Sequence, residues 1–469
     1  ISQPGQLLSL EIAPPRDSEG ILLPVAPLDL ATLLTGSAET VETQLKESEI
    51  TIPNEAGTVI LLADIQTEDG SVDFYASQNL TVSGINTGSG DIILTGNEID
   101  LIGDTRSVRG TGNILIQPSD PSQNITFGGL TDSGADTLAI ITKELHTFLF
   151  SRDFNSITIG RPDGSGIVNI KERQYAEFGG VSLPIVFRYP VTIQGGSITW
   201  TDTIDIIESL HASITLIANQ NISIPDIQLE DSGGNGDRGD IKITAGGNIT
   251  TGNLTTSSIY NSGGDIKITA GGNITVGSLI TNSETNSGGD ISFTSGGSII
   301  ADSLNTSGGN SYHSGNANGG NINLKAQDDI TINQGVSSFA AGTFGIVGGT
   351  SIDSPGAEPI PSNPKPLAAD GNSNGGNVMI ISYNGSISIP NEGIRSYAYP
   401  QSQEGTTALD AQGGTVYLEA ARDITLDSVA SFVGQGTGTA FEFSSRISSS
   451  QNPISVTGAS SAGEVEIIS

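Results

Sequence analysis

Polar and apolar residues alternate along the stretch Asp240-Ile-Lys-Ile-Thr-Ala245. Asp240 and Lys242 are polar, Ile241 and Ile243 apolar, and that period of two predicts a strand with one buried face. Gly246-Gly247 then bends the chain, Asn248-Ile-Thr250 predicts a second short strand, and Gly252 marks another corner before Leu254. The same text returns 25 residues later from Asp265, and again, degraded, from Asp290. Looser copies begin at Asn321, Asn377, Thr415 and Glu464, after gaps of 31, 56, 38 and 49 residues. Those gaps read as insertions or as extra turns that the pattern hides. One period therefore holds about three short strands and three corners.

Such a unit cannot bury its own apolar face and must stack on its neighbours. The expected fold class is all-β: a parallel β-helix, or β-solenoid, with an extended N-terminal arm and loop insertions. Coils would sit about 4.8 Å apart, and equivalent residues would form columns. One interior column is Ile241, Ile266, Ile291, Ile322, Val378, Val416, Val465. A second is Ile243, Ile268, Phe293, Leu324, Ile380, Leu418, Ile467, and a third Ile249, Ile274, Ile299, Ile330, Ile387, Ile424. The outward column Lys242, Lys267, Ser292, Asn323, Met379, Tyr417, Glu466 has no fixed chemistry. The inside is constrained and the outside free, as in a scaffold.

Three regions follow. Residues 1–50, punctuated by Pro4, Pro14, Pro15, Pro24 and Pro27, read as an extended arm or cap. Residues 51–235 read as irregular solenoid, with Leu145, Phe148 and Leu149 marking a short helix over 142–150 that Thr142 caps, with Glu144 in its first turn. Residues 236–469 read as regular solenoid, interrupted over 343–376 by a Pro- and Gly-rich loop that cannot supply ladder donors. Arg161-Pro-Asp-Gly164 reads as a turn.

The Gly-Asp-Ile-x-Ile-Thr-Ala-Gly-Gly-Asn-Ile-Thr unit resembles the repeats of filamentous-haemagglutinin-type exoproteins, in particular the large ones of cyanobacteria. Phe154-Asn-Ser-Ile-Thr-Ile-Gly-Arg161, Asp163-Gly-Ser-Gly166 and Ile167-Val-Asn-Ile170 are similar to a further segment of that family. The resemblance covers most of residues 70–469. It implies export by two-partner secretion and a right-handed β-helix at the cell surface. The secretion domain of such proteins is not visible in the sequence, so it lies upstream of Ile1 or export takes another route.

Composition narrows the function. Lys plus Arg number 18 against 51 Asp plus Glu, a net charge of −33, which argues against nucleic acid and anionic membrane surfaces as partners. No stretch has the length and apolar purity of a membrane span. Cysteine is absent, which removes disulfides, thiolate metal sites and Cys nucleophiles.

Several motifs invite a chemical reading. Asp240, Asp265 and Asp290 would stack as carboxylates and could take Ca²⁺. The column continues as Asn321, Asn377 and Thr415, which favours a corner role. Gly233-Gly-Asn-Gly-Asp237 lacks the last Asp of a calcium-roll nonapeptide, and Arg238-Gly-Asp240 already opens a strand. His146, His211 and His313 have no partners at triad spacing. The Asn-x-Thr triplets at Asn248 and Asn273 come with the repeat, and Tyr397, Tyr399, Tyr417, Phe432, Phe441 and Phe443 enrich the last third in rings. No catalytic residue, cofactor or metal ligand is assigned.

The expected function is therefore that of a non-enzymatic structural solenoid, secreted or held at the cell surface, serving adhesion or matrix. The rivals are a β-helical enzyme acting on polysaccharide and a monomeric adhesin shaft. The expected partner is the chain itself, joined head to tail, with cell-surface or matrix polysaccharide as a second. Leu8, Leu10 and Ile12 alternate on one face of an N-terminal segment, and Val465 and Ile467 lie on a final strand with an open edge. Adding the first strand to the second in a neighbouring copy does not close and gives a fibre.

Overall fold

The computed structural model describes residues 11–13, 49–130, 136–149, 154–230, 239–341, 373–399 and 411–468, apart from 53–56, 63, 68, 176–180, 201–205, 211, 310–316, 413, 428, 432–443, 449–453, 457–458 and 462–463. Leu8, Leu10, Gly233–Asp237, His211, His313, Phe432, Phe441, Phe443 and most of 343–376 lie outside them. The chain divides into two compact units, Ile1–Pro225 with Thr244–Gly246, and Asp226–Ile243 with Gly247–Ser469. Each is a parallel β-helix.

In the second unit the first strand of each coil has five residues, as in Ile266–Ala270, Ile291–Ser295, Ile322–Ala326, Val378–Ser382 and Val416–Ala420. Neighbours pair in parallel without slip. Ile266 faces Ile291, then Ile322, Val378, Val416 and Val465. Ile268 faces Phe293, then Leu324, Ile380, Leu418 and Ile467. The Ile241 N–H donates to the Asp265 carbonyl (2.9 Å) just as that of Ile266 donates to Asp290 (2.9 Å), so Ile241 opens the same column. The third column runs Ile249, Ile274, Ile299, Ile330, Ile387, Ile424, and continues to Ile454. From Ile241 to Ile424 its members and those of the first two columns are almost wholly buried. A fourth column passes from Ile227 through Leu254, Leu279, Leu304, Val336 and Ile394 to Val429.

The unequal gaps are resolved by this register. Those of 31, 56 and 38 residues separate strands that pair directly, so they are insertions. The gap of 49 is different, because it contains Ser444–Ser448. That strand pairs with Glu464–Ile468 on the edge opposite Val416–Ala420. The later strand has slotted between two earlier ones.

The first unit builds the same wall from coils of less even length, the early ones shorter than the 25-residue repeat. Ile50, Val72, Ile92, Ile114, Ile157, Val191 and Ile214 form one register column, and Ile52, Phe74, Leu94, Ile116, Ile159, Ile193 and Leu216 the next. Its early coils have three separate walls: Val72–Tyr75 with Ile92–Thr95, Asn79–Val82 with Glu98–Leu101, and Ile85–Asn86 with Val108–Arg109. Between Ile114 and Ile157 the chain inserts the helix Thr142–Phe148. The predicted helix is present, but Thr142 is its first residue and does not cap it. Its end is tied by Glu144, whose carboxylate accepts the Ile141 N–H (2.9 Å). Glu11–Ala13 pairs antiparallel with Glu49–Ile52, which sets Ile12 opposite Ile50.

Candidate functional site

The corners carry most of the polar side chains that the repeat fixes, and most of those bind backbone. The Asp265 N–H donates to Asp240 Oδ1 (2.9 Å), the Asp290 N–H to Asp265 Oδ1 (2.8 Å), and the Asn321 N–H to Asp290 Oδ1 (2.6 Å). Asn321 and Asn377 accept in turn from Asn377 and Thr415 (3.1 and 2.9 Å). A second corner uses Asn248 and Asn273 to accept from Asn273 and Ser298 (2.8 and 2.9 Å), and a third uses Asp226 and Asn253 to accept from Asn253 and Ser278 (2.6 and 2.8 Å). The first unit repeats the device between Asp91 Oδ1 and the Asn113 N–H (2.7 Å). One oxygen of each such side chain thus satisfies a donor that the coil's bend would leave open.

This pattern accounts for the acidic column and for its drift to Asn and Thr, since all that it requires is an oxygen. Among the described residues no group of three His, Asp or Glu is placed to hold a metal ion. Crowding between rungs raises the Asp265 pKa above the ordinary carboxylate value, first by desolvation and then by repulsion from Asp290 and Asp240, against the pull of the Asp290 N–H. The Asp240 of the Arg-Gly-Asp triplet is a member of the same ladder.

A second device closes each loop at its base. Buried Thr256, Thr281 and Thr306 donate to the carbonyls of Gly264, Gly289 and Gly320 (2.6, 2.6 and 2.8 Å). In the first unit Thr87 donates to Gly90 (2.7 Å). The spanned loop varies from three residues to fourteen while the latch stays the same. The 25-residue spacing of Thr256, Thr281 and Thr306 is the sequence signal for this column, and apolar periodicity alone passes over it.

Arg161 also serves the fold. Its guanidinium makes a two-pronged pair with Asp163 (2.8 and 2.9 Å) and reaches the carbonyls of Pro118 and Ser119 (3.3 and 3.4 Å), while the Gly164 N–H closes the expected turn on the Arg161 carbonyl (3.1 Å). The Asp163 hydrogen bond raises the Arg161 pKa, and its return effect lowers that of Asp163. Half-buried His146 has its pKa lowered, by desolvation first and by Arg173 second.

The residues expected to join copies fare unevenly. Ile467 is buried, and the strand that carries Val465 and Ile467 has both edges paired, so it presents no open edge. The strand there with a neighbour on one side only, among the described residues, is Ser444–Ser448. Ile12 lies on a strand that already pairs with Glu49–Ile52 and has its other edge without a strand among the described residues.

One concave site lies in the first unit, a groove of about 420 Å³. Its floor is the third wall, Ile65–Gln66, Ile85–Asn86 and Val108–Arg109, paired in parallel. Ile85 and Val108 turn inward and are buried, which leaves Gln66, Asn86 and Arg109 as an outward column. Its side is the segment Ile102–Ser107. There Arg106 adopts a left-handed backbone (φ 68°), a conformation that a residue with a Cβ holds only when its surroundings enforce it. The enforcing contacts are on either side: the Arg106 N–H donates to the His146 carbonyl (3.1 Å), the Ser107 N–H to the Asp104 carbonyl (3.0 Å), and the Ile85 N–H to the Ser107 carbonyl (2.9 Å). Glu144 in the inserted helix also accepts the Leu101 N–H (3.2 Å). Neither Arg106 nor Arg109 has a side-chain hydrogen bond or ion pair among the described residues, and the buried Ser107 hydroxyl has no partner there. Nothing in the sequence announces this site, because two carboxamides and a guanidinium at the unequal spacings of Gln66, Asn86 and Arg109 form no motif.

Comparison of the chain with family models, with curated proteins and with solved structures finds no match.

Proposed function

We propose that this chain is an exported structural protein without catalytic activity, a β-solenoid of the cell surface or matrix whose copies join along the coil axis into a fibre. The observation that carries the reading is the division of labour within a coil. Inward columns hold apolar residues from the Ile266 rung to the Val465 rung, corner oxygens serve the backbone of the next rung, and the outward column from Lys267 to Glu466 keeps no chemistry. Such a chain is built to extend rather than to position a reacting group. The resemblance of its repeats to filamentous-haemagglutinin-type exoproteins supports export. The net charge of −33 keeps copies apart side by side and leaves axial contact as the favoured one. The edge of Ser444–Ser448 suits strand addition, in place of the strand that carries Val465 and Ile467.

Electron microscopy of the purified protein over a range of concentrations tests this. Filaments that lengthen with concentration are expected, and Ile447→Pro, which removes a donor from the edge strand, should stop their growth. Separate particles at every concentration would overturn the fibre.

A further inference from the structure

We propose that the groove over Gln66, Asn86 and Arg109 binds an oligosaccharide that carries uronate carboxylates. This names a glycan partner for the surface or matrix fibre proposed above and rests on that reading only for where the glycan is met. The chain has 18 basic residues in 469, and two of them line this one groove with no carboxylate paired to either among the described residues. A guanidinium left unpaired in so acidic a protein is a poor choice for stability and a good one for planar carboxylate recognition, which its fork matches with two parallel hydrogen bonds.

The rest of the lining suits the rest of a sugar. Gln66, Asn86 and Arg109 stand on successive rungs about 4.8 Å apart, so amide donors and acceptors repeat along the groove as ring hydroxyls repeat along a glycan. Asp64 and Asp104 add acceptors for hydroxyl protons, and the half-exposed Ile102 gives a ring face something apolar to lie on. A volume of about 420 Å³ fits a small ligand, and the polar lining selects a hydroxylated one over an apolar one. The left-handed turn at Arg106, tied to the inserted helix through the His146 carbonyl, fixes the point at which this side chain leaves the backbone, and the exposed guanidinium is free to swing onto a ligand. The surrounding acidic surface repels polyanions in general, so only a carboxylate seated between the two arginines gains.

Calorimetric titration of the whole chain with a uronic-acid trisaccharide is the test, beside its carboxyl-reduced neutral counterpart and a sulfated trisaccharide. Saturable binding of the uronate is expected, weakened at least about tenfold for the neutral sugar and for the double variant R106Q/R109Q, with R106K/R109K in between. In the unaltered chain the uronate should also shield Arg106 and Arg109 from phenylglyoxal, read by mass spectrometry, which does not depend on any variant folding. No saturable binding, equal binding of the neutral sugar, equal or tighter binding of the sulfated one, or unshielded arginines would each overturn the proposal. A protein that forms filaments yet binds no uronate would sink the groove and leave the fibre standing.

Discussion

The early coils of the first unit and the regular coils of the second solve one packing problem with different lengths of chain. Val72 to Ile92 to Ile114 takes 20 and then 22 residues, whereas Ile266 to Ile291 takes 25, yet both produce in-register aliphatic columns that exclude water. The wall tolerates no change of alternation, since a slip of one residue would turn the buried set outward. The corner tolerates almost any length, provided that a latch such as Thr87 to Gly90 or Thr306 to Gly320 closes it. The short coils leave a polar third wall beside a buttressed turn, and a groove of about 420 Å³ lies there. Architecture is therefore set by the inward residues, and any binding chemistry by what the corners add.

The largest expected effects test whether the two walls are equivalent. Phe74→Ala in the first unit and Phe293→Ala in the second should each cost about 3–5 kcal/mol, seen as a lower urea midpoint, because both rings are fully buried. A small loss at one and a large loss at the other would mean that the walls differ in packing. Next come the corners. A Cβ at Gly289 would overlap the Gly264 carbonyl oxygen one coil earlier, so Gly289→Val should cost about 1–3 kcal/mol, whereas Gly57→Ala, whose Cβ meets nothing nearer than 3.8 Å, should stay within about 0.5 kcal/mol. The latch follows: Thr281→Val and Thr87→Val each leave a glycine carbonyl without its buried donor, at about 1–3 kcal/mol, by the same denaturation measurement.

The smallest effects depend on pH. The Asp265 pKa is raised in the folded chain, so its contribution is complete below the ordinary carboxylate pKa of 3.8 and is lost as pH rises through the folded value. Asp265→Asn keeps the oxygen that accepts the Asp290 N–H. It should raise the midpoint slightly at neutral pH and leave it unchanged in acid. Tyr417, whose hydroxyl donates to Glu419 (2.7 Å), has its pKa pushed up to about 12, chiefly by that hydrogen bond. Ultraviolet titration should find it ionising after an ordinary tyrosine, and Glu419→Gln should bring it back toward 10.0.

Legibility followed the physics of each feature. The columns through Ile241, Ile243 and Ile249 could be read directly, because burial on one face writes a period of two into the sequence. The helix was visible in the spacing of Leu145, Phe148 and Leu149, but its end was misassigned, since Glu144 reaches back to Ile141 and no side-chain oxygen precedes it. The order of the last strands was hidden. Ser444–Ser448 puts Ser445 where the other rungs hold Ile or Val, so it carries a weak pattern, and its place beyond Glu464–Ile468 runs against chain order. The groove was hidden for another reason: its residues come from three coils of unequal length and are gathered only by register.

Stacking of coil upon coil can be tested in solution, because the chain has no cysteine and any introduced thiol is unique. Lys267 and Ser292 are register partners on the outward face, while Thr275 is exposed on another wall of the Lys267 coil. Pyrene attached to Lys267→Cys and Ser292→Cys should give strong excimer emission, and pyrene on Lys267→Cys and Thr275→Cys should give monomer emission alone. Monomer emission from the first pair, or excimer of equal strength from both, would contradict the stacked coils on which the fold and the proposed function stand.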